Sequence, residues 1–355
     1  MSREQPIIDV HAHVLLPQLE ALARERDPEG LAAQQQIDLL RNGALSQQNS
    51  GLMIRERWPL LTDPAARIGH MDKSRVEVQI ISPSPSHFYA FAQKQLAAML
   101  YQEANRLVRE YIDQNQARFH GLGLAPLQHP ELMVEALDDA VLTHGLAGVE
   151  IGSYAPDPHG GTVELSDPRL EGFWERAQEL GAVIFLHPFG CPLESRLDRF
   201  YLANTVAQPA ENAVALSHLI FAGVLDRFPQ LKLVAAHGGG YLPQVIGRSD
   251  HAWQVRPEAR GCEHPPSSYL GRLWFDSLVH SPVELARLVE TAGARRVLLG
   301  SDYPFDMGSD YPVEAVEAAA LGQDEREGIL RGNAADLGLA SLARSQEAVL
   351  EREGI

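Results

Sequence analysis

Two histidines, His11 and His13, stand one residue apart in the run IIDVHAH. Residues i and i+2 of a strand point to the same face, so two imidazoles at this spacing converge on one point. Neutral imidazole is a common ligand for zinc, and a carboxylate oxygen is a hard companion to it. Further along, His187 closes the run AVIFLHP, His237 closes KLVAAHG and Asp302 closes VLLGSDYP. Three histidines and one aspartate around an ion leave room for water or substrate. That open coordination belongs to a catalytic rather than a structural site.

These runs are among eight β-rich segments: Pro6–His13, Val76–Ser84, Gly121–Leu127, Gly148–Ser153, Ala182–Pro188, Lys232–Gly238, Leu273–Val279 and Val297–Pro304. Helical patterns lie between them, at Gln93–Ala117, Glu131–Leu142, Asp167–Leu180 (with Ser166 as N-cap), Ala207–Leu225 and Pro282–Ala292. Strand–helix alternation predicts a parallel sheet, and eight strands predict an α/β fold closed into a (β/α)8 barrel. The chain is 355 residues long, which suits a single barrel domain over 1–340. No Gly-rich dinucleotide turn follows the first strand. In such barrels chemistry sits at the C-terminal ends of the strands, where His11, His13, His187, His237 and Asp302 all fall.

The connection Leu15–Asp72 is long and irregular, with helical patches at Leu19–Arg26 and Gly30–Arg41 and a polar stretch near Gln47–Gly51. It leaves the end of the first strand and is expected to cover the mouth. A charged helical tail, within Asn333–Ile355, is expected to pack outside the barrel or against a partner subunit. The formal net charge of −17 disfavours nucleic acid and anionic lipid as partners but permits a small anionic substrate held by focused arginines. Two cysteines, Cys191 and Cys262, do not suggest a disulfide scaffold. No apolar leader or membrane-length run is evident, so a cytoplasmic protein is expected. Among the other histidines, His87 and His280 follow strands near the mouth and are candidates for the pocket wall.

The stretches IIDVHAH, RIGHMDKSRVEVQIISPSP, IFLHPFG, AAHGGGYLPQVIGR, LGSDYPFDMG and GNAADLGL together resemble the amidohydrolase superfamily, in the branch of 2-amino-3-carboxymuconate 6-semialdehyde decarboxylase. The resemblance spans residues 7 to 340 or so. It implies that His11, His13, His187 and Asp302 bind one divalent metal, zinc in most members and manganese in some. It implies that His237 is the catalytic acid–base. Arg248, eleven residues after His237, matches an arginine that holds substrate carboxylate in the neighbouring subunit's site, which implies a homodimer. A second substrate arginine of the family falls near Arg55 or Arg57, without a clean match, and Phe189 and Phe305 match pocket-lining positions. Binuclear relatives carry a carbamylated lysine at the end of the fourth strand. Here that strand is GVEIGS, and the three lysines, Lys73, Lys94 and Lys232, lie elsewhere. Glu150 could bridge two metals in principle, but a single ion is expected.

The leading expectation is metal-dependent, non-oxidative decarboxylation of a small unsaturated or aromatic acid. His237 would move the proton, and Asp302 would serve as ligand and proton carrier. The alternative is hydrolysis or hydration of a lactone, amide or C=C bond by the same groups. A more remote alternative is a barrel that binds a ligand without catalysis.

Overall fold

The computed structural model describes residues 5–339. Eight parallel strands form a ring among these residues: β1 (Ile8–Val14), β2 (Val78–Pro83), β3 (Phe119–Gly121 continued by Gly123–Leu124), β4 (Gly148–Ile151), β5 (Val183–Leu186), β6 (Lys232–Ala235), β7 (Trp274–Asp276) and β8 (Val297–Leu298). The ring closes where Val10 N–H donates to the Leu299 carbonyl at 2.9 Å and His13 N–H to the Tyr303 carbonyl at 2.7 Å. Most of the strands are shorter than their apolar runs, because the ladders stop where the chain turns out at the mouth. β8 is the extreme case: Ser301 and Asp302 leave the ladder and both donate to the His11 carbonyl.

The barrel interior is filled by Ile8, Val10, Ile80, Phe185, Val234 and Leu298, and Ala334, Leu337 and Leu339 pack in the same cluster. A second, larger apolar layer lies between the strands and the surrounding helices. The helix Lys94–Asp113 shows how the sequence builds that layer. It buries Leu100, Ala104, Leu107, Val108 and Tyr111 at three- and four-residue spacing. Each such leucine contributes roughly 1.5–3 kcal/mol on burial.

The connection after β1 is helical rather than loop-like. Four helices span it: Pro17–Arg26, Pro28–Asn42, Ala44–Thr62 and Pro64–Lys73. Two of them start on a capping aspartate followed by proline. Asp27 accepts from Gly30 N–H and Asp63 from Ala65 N–H, each at 2.8 Å. The polar stretch Gln47–Gly51 lies inside the third helix. Gln48 and Asn49 face solvent there, while Gln47 and Ser50 turn toward a cavity under the cap.

Other boundaries also differ from expectation. Ser166 does not cap the helix after β4. Asp167 does so by accepting from Arg169 N–H at 2.9 Å, while Ser166 Oγ pairs with His218 Nδ1. A short antiparallel hairpin, Tyr154–Pro156 with Thr162–Glu164, intervenes before that helix. The helix expected over Glu131–Leu142 is split into a 3-10 turn, an α segment at Met133–Asp138 and a π segment at Asp139–Thr143. The tail 341–355 lies outside the described residues. No helix among the described residues is long and apolar enough to cross a membrane.

Candidate active site

Simple alternation along β1 would not have brought His11 and His13 into the barrel. Ile8 and Val10 face the interior cluster, so an unbroken strand would turn positions 11 and 13 outward. The β1–β2 register shifts between Asp9 and Ala12, and this irregularity re-aims both histidines at the mouth. Their Nε2 atoms then stand 3.0 Å apart. His187 follows β5, and its ring centroid lies 5.1 Å from that of His11 and 4.9 Å from that of His13. His237 follows β6, and its ring lies 4.9 Å from His187.

Asp302 completes the cluster from the β8 side. Its Oδ1 lies 3.2 Å from His13 Nε2 and 3.4 Å from His11 Nε2, and its Oδ2 lies 3.5 Å from His237 Nε2. Both His237 and Asp302 adopt positive φ, 54° and 55°. Such a conformation is uncommon outside glycine and is held in place by surrounding structure. Gly300 lets the β8 backbone come this close. A Cβ there would sit 2.6 Å from the Asp276 Cβ and 3.0 Å from the His11 Cβ.

Each ligand-type histidine is oriented from behind. His11 Nδ1–H donates to Asp276 at 2.5 Å. His187 Nδ1–H donates to the Pro188 carbonyl at 2.9 Å. Ser82 Oγ lies 3.1 Å from His13 Nδ1. In each case the Nδ1 edge is engaged and the Nε2 edge faces the cluster, the arrangement that fixes metal-binding imidazoles. Asp276 also accepts from the backbone N–H groups of His237, Gly238 and Leu278 at 2.9, 2.8 and 3.1 Å. It therefore ties the β1 histidine to the turn that carries His237. Asp276 went unnoticed in the sequence, although a charged residue inside the apolar run LWFDSLV was the available signal.

The electrostatics favour a cation at this point. Burial opposes charge on His11, but Asp302 and Asp276 outweigh it and push His11 up to about 10. Burial opposes ionisation of Asp302 too, yet His11 and the other imidazoles hold it well below the usual carboxylate range. Burial pushes His13 down to about 4 and His187 well below its ordinary value, so both are neutral acceptors. His187 Nε2 and Asp302 Oδ1 are buried with no hydrogen-bond partner. His11, His187, His237 and Asp302 offer ligand atoms all within 4.8 Å of one another. The edges of 3.0, 3.2 and 3.4 Å among His11, His13 and Asp302 match the ~3.3 Å between ligands around a tetrahedral ion with bonds of about 2.0–2.1 Å. The residues present fit a single divalent cation.

Glu150 does not face these atoms. Its Oε2 lies 3.7 Å from the Nδ1 edge of His13, the edge turned away from the cluster, and burial pushes the carboxyl up to about 8. Phe305 packs its ring 5.6 Å from that of His13 and lines a chamber of about 300 Å³ together with His187, Asp302 and Phe189. A wider cavity of about 510 Å³ reaches His237 and Asp302 from the other side, with His280 in its wall. His87 is not at the cluster. Its Nε2 accepts from Leu16 N–H and its Nδ1 pairs with Tyr89 Oη, both at 3.0 Å, so it ties the exits of β1 and β2 together. Arg55 and Arg248 are exposed and line neither cavity that reaches the cluster. Arg57 is engaged by Asp310 and the Pro304 carbonyl. The arginine that does line the inner chamber is Arg41, from the helix Pro28–Asn42, and the sequence held no signal for it.

An eight-stranded parallel barrel with a histidine–aspartate cluster at its C-terminal mouth defines a metal-dependent barrel enzyme. A family model described as amidohydrolase matches residues 8–337, and the chain belongs to that family. It is 34% identical over 336 residues to a 2-amino-3-carboxymuconate-6-semialdehyde decarboxylase of Dictyostelium discoideum, with 94% of this chain and 91% of the relative covered. It is 26% identical to a gamma-resorcylate decarboxylase of Polaromonas, covering 81% of this chain and 93% of that one. Among solved structures, a dihydroxybenzoic acid decarboxylase of Polaromonas with bound manganese and 2-nitroresorcinol superposes with a TM-score of 0.77 at 23% identity, covering 94% and 96% of the two chains.

Proposed function

We propose that the chain is a metal-dependent, non-oxidative decarboxylase of a small aromatic or unsaturated carboxylic acid. The observation that carries this reading is the cluster itself: imidazole nitrogens and one carboxylate aimed at a common point, beside a chamber of about 300 Å³. The relatives' activities point the same way, being decarboxylations of a muconate semialdehyde and of a resorcylate. His11, His13, His187 and Asp302 would hold the ion, zinc in the first instance and manganese as the alternative. When bound, the ion supplies a Lewis acid that neutralises the substrate's anionic oxygens.

The chain's own groups do the rest. The chamber orients the ring against Phe305 and Phe189 and excludes water from its apolar side. His237 stands at the edge of the cluster, its side chain 13% exposed, where it exchanges protons with solvent on one side and substrate on the other. It delivers a proton to the ring carbon that bears the carboxylate. That carbon becomes tetrahedral and conjugation is interrupted. The bond to the carboxylate then breaks, its electron pair returns to the ring, and carbon dioxide leaves. One proton is consumed for each carbon dioxide released. Asp302, paired with His237 through Oδ2, stabilises the protonated imidazole.

Arg248 acts on a carboxylate in a second subunit's chamber, so the chain works as a homodimer. Mixed dimers test this: subunits carrying Arg248→Ala and His237→Ala should each be inactive alone and regain activity together. The reaction is tested by carbon dioxide release from a panel containing 2,6-dihydroxybenzoate, 5-carboxyvanillate and 2-amino-3-carboxymuconate 6-semialdehyde. Release from at least one acid is expected. Turnover of lactones or amides with no carbon dioxide from any acid would overturn the reading in favour of a hydrolase.

A further inference from the structure

Beyond the reaction chamber lies a second cavity of about 440 Å³. One wall is the helix Pro28–Asn42, through Leu31 and Ile37. Opposite it stand Phe88 and Tyr89 after β2 and the hairpin residue Tyr154. The two chambers meet at a passage, since Asp38, Arg41, Pro85, Ser86 and Phe189 line both. A single-ring acid is accommodated by the inner chamber alone, which leaves the outer one without a role in the reaction described above.

Arg41 is placed to read charge at that passage. Its Nε is buried and has no hydrogen-bond partner, although its charge already acts on the nearby carboxyls of Asp38 and Glu211. The neighbouring turn is shaped around it. Gly190, three residues after His187, has φ +84°, and a Cβ there would sit 2.7 Å from Arg41 Nη1. A larger residue would require the guanidinium to shift. The nearest carboxylate of its own helix, Asp38, accepts from Gln34 Nε2 at 2.9 Å. The rest of the passage wall, apart from Ser86, is aromatic or proline.

We propose that the outer chamber is a second substrate compartment, which accepts an aromatic or apolar arm extending from the reacting ring, and that Arg41 holds an anionic group on that arm. The substrate is then longer than a single-ring acid and carries two negative charges. One lies at the cluster and the other at Arg41. This rests on the decarboxylase reading only for the placement of the first carboxylate.

Binding to the metal-loaded enzyme by calorimetry tests the proposal without turnover. The probes are benzoate, a biphenyl monocarboxylate, and a biphenyl dicarboxylate with one carboxylate on each ring. The dicarboxylate should bind about tenfold or more tighter than benzoate, with the monocarboxylate between them. Arg41→Gln should abolish the advantage of the second carboxylate, weakening the dicarboxylate far more than benzoate, and Arg41→Lys should restore part of it. Ile37→Trp, which fills the outer chamber from an exposed position, should weaken both biphenyl acids and spare benzoate. Equal binding of short and long acids, or an Arg41→Gln variant that weakens all three alike, would overturn the proposal. Its failure is separable from that of the decarboxylase reading. The latter fails on carbon dioxide release, whatever the biphenyl acids do.

Discussion

The barrel mouth and the helical cap over it are built on opposite principles. At the mouth, His11, His13 and Asp276 are 1% exposed or less, and the side chains of His11, His13 and His187 are fixed from behind by a carboxylate, a hydroxyl or a backbone carbonyl. In the cap, Leu45 is 71% exposed and Leu40 50%, and the polar ties to the mouth include the buried Arg67, which donates to the His13 carbonyl and to Gln79. Another tie is Arg57 to Asp310 and the Pro304 carbonyl. The difference teaches where each property resides. Chemistry is held by groups that cannot move without breaking buried hydrogen bonds. In the proposed reading, selectivity is held by the more exposed face of the cap.

That contrast can be broken from either side. The largest effect is expected at the cluster. Asp302→Ala or His11→Ala should lower turnover by roughly three orders of magnitude or more, since a unit that acts together fails together. The same variants should lose bound metal by elemental analysis while keeping the far-ultraviolet dichroism of the wild type.

Asp276→Asn comes next. It weakens the acceptor that orients His11 and the turn at His237, and a drop of about 10–100-fold in metal affinity or activity is expected. Metal titration of the purified variant measures it. An unchanged metal affinity would show that His11 is held by packing alone.

On the cap side, Arg57→Ala should cost under about 1 kcal/mol of stability, because the pair with Asp310 is partly solvent-exposed. Asp310, which Arg57 holds below the usual carboxylate range, would return toward its ordinary value. KM should rise by a few-fold with kcat little changed, as the cap loosens over an intact cluster.

A further effect, confined to acid pH, comes from His87. Burial pushes His87 down from 6.5 to about 4, so the folded chain refuses a proton that the unfolded chain accepts. Stability is therefore lost as pH falls through the window from about 6.5 to about 4, and His87 adds no pH dependence above it. Protonation at Nε2 would also expel the Leu16 N–H. In His87→Gln, the slope of unfolding free energy between pH 6.5 and 5 should be shallower by up to one proton, about 1.4 kcal/mol per pH unit. Urea titrations at several pH values read it directly.

The mouth was more legible in the sequence than the cap, for a physical reason. Metal-ligand residue types are rare inside apolar strand runs, so His187, His237 and Asp302 stood out at strand ends. The same rule would have yielded Asp276 had it been applied to the seventh run. The β1 irregularity was not legible, because a register shift depends on the partner strand. The i, i+2 spacing correctly placed His11 and His13 on one face, but it carried no information on how that face turns relative to Ile8 and Val10. In the cap, only the patches Leu19–Arg26 and Gly30–Arg41 were expected to be helical, although Asp–Pro at 27–28 and 63–64 was an available start signal, and no local pattern said that Arg41 rather than Arg55 would reach the chamber. That choice is made by tertiary packing, through the space left at Gly190.

In the proposed reaction, His237 and the cluster replace a carboxylate with a proton. Turnover in deuterium oxide tests it most directly, using a carboxyl-labelled acid from the panel and mass spectrometry of both products. The account requires one labelled carbon dioxide and one deuterium, on the carbon that bore the carboxylate, for every turnover, with both lost in His237→Asn. Product formed without carbon dioxide, or carbon dioxide released with no deuterium at that carbon, would contradict it.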